Sequence, residues 1–135
     1  MATWQADFAL EPDLRALPPD FRERLDQLLP RGQPWSEAQE TWGQEDGTRI
    51  DVWHDPRGAT EVVLRVDLRN LDPEWLERVL AFTRAIGRRV QTLDGRVVGD
   101  LGEFTLVLRG SPAWRFVQDP QAHLRRVRLG GHEDA

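Results

Sequence analysis

His54 and Asp55 are adjacent, and an imidazole beside a carboxylate can bind a metal or take a proton as a general base. Neighbouring residues on a strand point to opposite faces, however, and an aspartate before Pro56 starts a turn. The spacing therefore favours a partly buried structural His54, near a hairpin tip and on its apolar side. His123 stands beside Arg125 and Arg126, and His132 lies close to the end of the chain. No H-x₃-H or HExxH spacing occurs, so a metal site would need ligands from distant segments, and none is expected. Ser111 has the setting of a helix cap, and Ser36 lacks a G-x-S-x-G context, which argues against a serine hydrolase. Asp46-Gly47 and Asp94-Gly95 lack the ligand spacing of a calcium loop and read as turns.

Glu37, Glu40, Glu45, Asp46, Asp51 and Asp55 crowd one stretch, where two carboxylates at glycosidase-like separation would make an acid–base pair. With 23 acidic residues in 135, such a cluster is expected by chance. An enzyme or ligand binder acting on a carbohydrate or phosphoester would need His54 and at least two of Asp51, Asp55 and Glu45 in one concave pocket.

Absences narrow the chemistry. Without cysteine there is no disulfide, thiolate nucleophile, iron–sulfur cluster or cysteine-bound zinc. All 18 basic residues are arginine, so a Walker A lysine and a Schiff-base amine are absent too, and the bias hints at a GC-rich bacterial genome. No tyrosine supplies a phenol. Nothing in the sequence calls for a cofactor. Residues 1–67 hold 14 acidic and 7 basic side chains (net −7), and residues 68–135 hold 9 and 11 (net +2), giving −5 overall. An acidic protein is a poor nonspecific ligand for nucleic acid and suits a basic protein partner. No apolar run approaches the roughly 20 residues that span a bilayer. Met1 to Leu10 has the wrong charge for a secretory signal, so the expected location is the cytoplasm.

The pattern most suggestive of binding lies in the middle of the chain. In Thr48–His54 and again in Thr60–Arg69 the even positions are mostly apolar and the odd ones mostly charged. Asp55-Pro56-Arg57-Gly58 is a turn between them. Two such strands form a hairpin with Ile50, Val52, Val62, Leu64, Val66 and Leu68 inward and the charges outward in water. That wet face would carry Arg49, Asp51, Trp53, Arg65, Asp67 and Arg69, with Glu61. Arginine and tryptophan are enriched at binding hot spots. Alternatively, Trp53 packs under neighbouring residues while the charges pair across strands. Trp4, Trp35, Trp42, Trp75 and Trp114 adjoin apolar or cap positions and read as core.

The remaining elements must hold that hairpin. Pro19-Asp20 opens a helix whose apolar stripe is Phe21, Leu25, Leu28 and Leu29, stopped by Pro30. Glu37 to Gly43 reads as a strand whose register leaves Trp42 free to face either side. Asp72-Pro73-Glu74 is a cap, an N1 proline and an acidic first turn, and predicts a helix to Ile86 that buries Leu76, Val79, Leu80, Thr83 and Ile86. Val90–Leu93 and Arg96–Val98 flank Asp94-Gly95, the pair that favours a type I′ hairpin. Glu103 to Arg109 alternates like a strand, although Asp100-Leu101-Gly102-Glu103 could instead be a capping box that opens a helix. Ser111-Pro112 and Asp119-Pro120 predict short helices through Val117 and about Arg128. The sum is a single α+β domain over 1–135, a mostly antiparallel sheet with helices packed on one face, and with 1–15 and 130–135 flexible.

Three pieces occur together: Trp42-Gly43 before a glycine turn, Arg65-Val66-Asp67-Leu68-Arg69, and Phe116-Val117-Gln118-Asp119-Pro120. In these, over Trp35 to Leu124, the chain resembles small uncharacterised bacterial proteins, some of them similar to immunity proteins of toxin systems. The resemblance implies a non-enzymatic binding role and carries no catalytic residue. Self-association through an exposed strand edge or the tryptophan face remains a further expectation.

Overall fold

The computed structural model describes residues 3–13, 16–58 and 60–118. The expectations for a helix near 120–128, for His123 and His132, and for a flexible 130–135 lie outside them.

Period-two stretches become strands: β1 (Gln5–Glu11), β2 (Gln39–Gly43), β3 (Arg49–His54), β4 (Thr60–Asp67), β5 (Arg89–Thr92) and β6 (Val97–Val98). Four helices join them: α1 (Phe21–Leu28), α2 (Pro73–Ala85), α3 (Leu101–Arg109) and α4 (Pro112–Gln118). All strand pairs are antiparallel, in the order β2-β3-β4-β1-β5-β6. This is the expected α+β architecture.

Register places Trp42, Ile50, Leu64 and Phe8 in one row across four strands, with Val52 and Val62 alongside. All are buried. Helices cover this inner face, Phe21 of α1 meeting Trp42 and Phe104 of α3 meeting Phe8 edge-on at 5.2 Å. Between them α2 buries Leu76, Val79, Leu80, Phe82 and Thr83, close to its predicted stripe. Asp72 caps it, accepting from Glu74 N. Trp42 thus faces inward, which resolves the ambiguity of β2.

Three expectations change. The N-terminal end is not loose over Gln5–Glu11: β1 lies inside the sheet, between β4 and β5, with Phe8 and Leu10 in the core. Residues 101–109 form a helix, because the Asp100 carboxylate accepts from Glu103 N at 2.8 Å and begins a helical turn. Finally, the β5–β6 connection is not a type I′ turn, since no residue other than glycine has positive φ. A turn from Thr92 to Gly95 is followed by Gly95 at φ 92°, making a three-residue loop closed by Thr92 N donating to Arg96 O.

Candidate functional site

The sheet face turned away from α1, α2 and α3 carries the odd-numbered residues of the central strands. Register aligns Gly43, Arg49, Arg65 and Asp7 in one row, Thr41, Asp51, Val63 and Ala9 in the next, and Gln39, Trp53 and Glu61 in a third. The alternation therefore places Arg49, Asp51, Trp53, Arg65 and Asp67 outward from the core, as expected. It does not place them in water. Arg49 is 1% exposed, Asp51 5% and Asp67 4%. The expectation of a wet face is corrected on this point, for reasons visible in their partners.

Arg49 Nε donates to both oxygens of Asp51, at 2.8 and 2.9 Å, and Nη2 donates to Thr41 Oγ1 at 3.2 Å. Asp51 Oδ1 also accepts from Thr41 Oγ1 and Gln39 Nε2, each at 2.6 Å. Above this network sits the indole of Trp35, its ring centre 4.0 Å from the Arg49 guanidinium carbon. Trp35 N donates to Gln39 Oε1 at 2.8 Å, which ties the loop to the same strand. A guanidinium leaves water only if its charge is paired, and Asp51 pairs it while Thr41 takes a further donor. The indole itself stays 54% exposed, against the expectation that Trp35 is core.

The other charges are also engaged. Arg65, which faces Arg49 across the β3–β4 ladder, donates through Nε to Asp7 Oδ1 at 2.9 Å. Two like charges are tolerated side by side because each guanidinium has its own carboxylate. Arg69 pairs with Asp67 at 2.9 Å, stacks on Trp4 at 4.0 Å and donates to Asp46 O. Asp67, through its hydrogen bond, holds the Arg69 guanidinium above its ordinary value. Trp4 Nε1 reaches the same carbonyl, and Gln5 Nε2 bonds Glu45 O and Gly47 O, so the β2–β3 loop is pinned to β1 and β4. Trp53, half-buried, is the remaining member of the predicted set and lies opposite Gln39 and Glu61.

Sequence reasoning missed Trp35, Gln39, Thr41 and Asp7. Gln39 and Thr41 share the parity of Gly43, and an inward Trp42 would have placed both beside Asp51. Trp35 is in a loop and leaves no periodic signal.

No family model, no curated protein and no solved structure matches this chain.

A second polar cluster lies at the β2 edge of the inner face. His54 Nε2 is 2.6 Å from Glu40 Oε2, and Arg22 grips Glu40 through Nε at 2.7 Å and Nη2 at 2.9 Å. Arg22 foremost, and then His54, hold the Glu40 carboxyl below the usual glutamate range, against the opposing effect of burial. Next to it, Asp26 accepts from Trp42 Nε1 and Arg31 Nε, which together keep its carboxyl low. The groups required for catalysis at His54 do not join this cluster. Asp51 is on the opposite face, Asp55 accepts from Arg57 N within its own turn, and Glu45 lies in the loop at the far end of β3. Among the described residues, no three histidines or carboxylates are grouped to hold a metal.

Elsewhere in the core Arg88 is buried, its guanidinium donating to Leu10 O at 3.0 Å and Thr60 Oγ1 at 2.7 Å. Burial, foremost, pulls it below its ordinary value, while Asp13 and Glu11 act the other way. It bolts the end of α2 to β1 and β4.

Proposed function

We propose that the chain is a non-enzymatic binding domain that recognises another protein through the sheet face crowned by Trp35. The observation that carries the reading is the half-exposed indole fixed over a buried Arg49 that is paired with Asp51. A rigid aromatic surface loses little entropy on docking, which is why tryptophan anchors interfaces. The charges around it are spent on one another, which leaves them with the character of scaffold and not of acid–base machinery.

The strands β1 to β4 come from the half of the chain with net charge −7, so a basic partner fits best and would be steered in by the field. In its narrower form the reading makes the chain an immunity-type inhibitor in a bacterial cytoplasm. The resemblance at Trp42-Gly43 and Arg65–Arg69 supports that form.

Affinity capture from the organism that makes the chain, run in parallel with wild type and Trp35→Ala, tests the proposal. It predicts one stoichiometric partner on the wild type and its loss from the variant, with circular dichroism unchanged. A partner retained equally by both, or none under cross-linking, contradicts it.

A further inference from the structure

A different part of the sheet has room for a strand. β1 pairs with β4 from Gln5 to Ala9, but with β5 only from Phe8 to Glu11. The reason is the three-residue loop: after Thr92 the chain turns through Leu93, Asp94 and Gly95 toward β6. Among the described residues, none pairs with β1 beside Ala6 and Asp7 on that side.

Backbone direction follows from two hydrogen bonds. Trp4 O accepts from Leu68 N, so Trp4 faces β4, while Thr92 N donates to Arg96 O and so faces β6. Backbone groups alternate along an antiparallel ladder. Ala9 therefore faces Gln91 on β5, and Asp7 turns its N–H and C=O the same way, where none of the described residues pairs with it.

That position is a groove of about 670 Å³. Ala6 and Phe8 of β1, Val107 of α3 and Pro112 and Ala113 of α4 supply its apolar lining. Leu93, 74% exposed, also lines it. The charged residues lining it are Asp7 and Asp94, and no arginine is among them. Asp7 is engaged by Arg65. Asp94 is exposed, with Thr92 Oγ1 as its intramolecular donor, and keeps acceptor capacity for a cation.

We propose that this groove binds an extended segment of another protein, added as a strand to β1, with apolar side chains toward Ala6 and Val107 and a basic side chain at Asp94. Main-chain bonds to Asp7 would supply affinity, and the Asp94 carboxylate the preference for a basic sequence. The site is separated from β3 and Trp35 by β4 and rests on its own observations.

The probe is an acetylated, amidated Val-Arg-Val-Arg-Val peptide titrated into ¹⁵N-labelled full-length chain. Saturable shifts are expected at Ala6, Asp7, Thr92, Leu93, Asp94 and Val107, with slowed hydrogen exchange at the Asp7 amide. The peptide methylated at alternate amides and the acidic Val-Glu-Val-Glu-Val peptide should each bind at least about tenfold more weakly. Asp94→Asn, which keeps the turn, should weaken the basic peptide about threefold at low salt. Equal binding of the methylated peptide, shifts confined to the Trp35 loop, or no binding would overturn the proposal. So would the same shifts arising without peptide as the chain dimerises, because the occupant would then be a second copy.

Discussion

The guanidinium carbon of Arg49 lies 4.0 Å from the centre of the Trp35 indole, which stands over it as a lid. The pairing links a buried charge to an exposed aromatic, and mutations on the two sides of it should behave differently.

Removal of the lid is expected to be mild. Trp35→Ala should cost about 1 kcal/mol, the size of a partly desolvated cation–π contact, with the fold intact. Urea unfolding followed by far-ultraviolet circular dichroism checks this. A loss of several kcal/mol would mean that the indole is core, not surface.

Removal of the counter-ion is expected to be severe. Asp51→Ala leaves the buried Arg49 without its carboxylate and strips Thr41 and Gln39 of an acceptor. The expected cost is about 3–5 kcal/mol. The pair Arg49→Met with Asp51→Leu should lose much less, since no charge is then stranded. Chemical denaturation of Arg49→Met, Asp51→Leu and the double variant gives the coupling directly.

The helical state of Leu101–Arg109 makes its own prediction. Asp100→Ala should cost about 1 kcal/mol through the lost cap. Leu106, 65% exposed, should accept lysine within about 0.5 kcal/mol, whereas Leu108→Ala, in the core, should cost about 2–5 kcal/mol. Melting curves of the three variants separate helix from strand, because a strand would hide Leu106 together with Leu108.

Acid should weaken the protein through Glu40. Its folded pKa lies below the unfolded value near about 4.3, so the stabilisation is complete above that value and is lost as pH falls through the folded pKa. Glu40→Gln, with no carboxyl to protonate, should show a flatter acid limb than wild type. Denaturant midpoints measured between neutral pH and pH 3 test the sign.

What could be read from the sequence depended on how one-sided each signal was. The β3–β4 hairpin was legible because Ile50, Val52, Val62, Leu64 and Val66 recur at a period of two, with mostly charged or polar residues between them. In α2 the cap, the proline and the apolar stripe all agree. Residues 101–109 misled because Phe104, Leu106 and Leu108 satisfy a period of two, while Phe104 and Leu108 alone also satisfy i, i+4. The Asp100 cap decided between them. Alternation reports which side of a sheet a residue takes, not whether water reaches it. Arg49 and Asp51 were therefore assigned to the correct face and the wrong environment, since the loop bearing Trp35 could not be placed from sequence. The three-residue turn at Asp94-Gly95 escaped for a related reason: the same dipeptide serves two hairpin types.

Hydrogen-exchange mass spectrometry of the chain alone and with its captured partner is the most direct measurement of the proposed binding role. Protection is predicted over Gln33–Ala38 and the adjoining ends of β2 and β3, centred on Trp35. Protection confined to other surfaces, with the Trp35 loop exchanging as fast as in the free chain, would contradict the account.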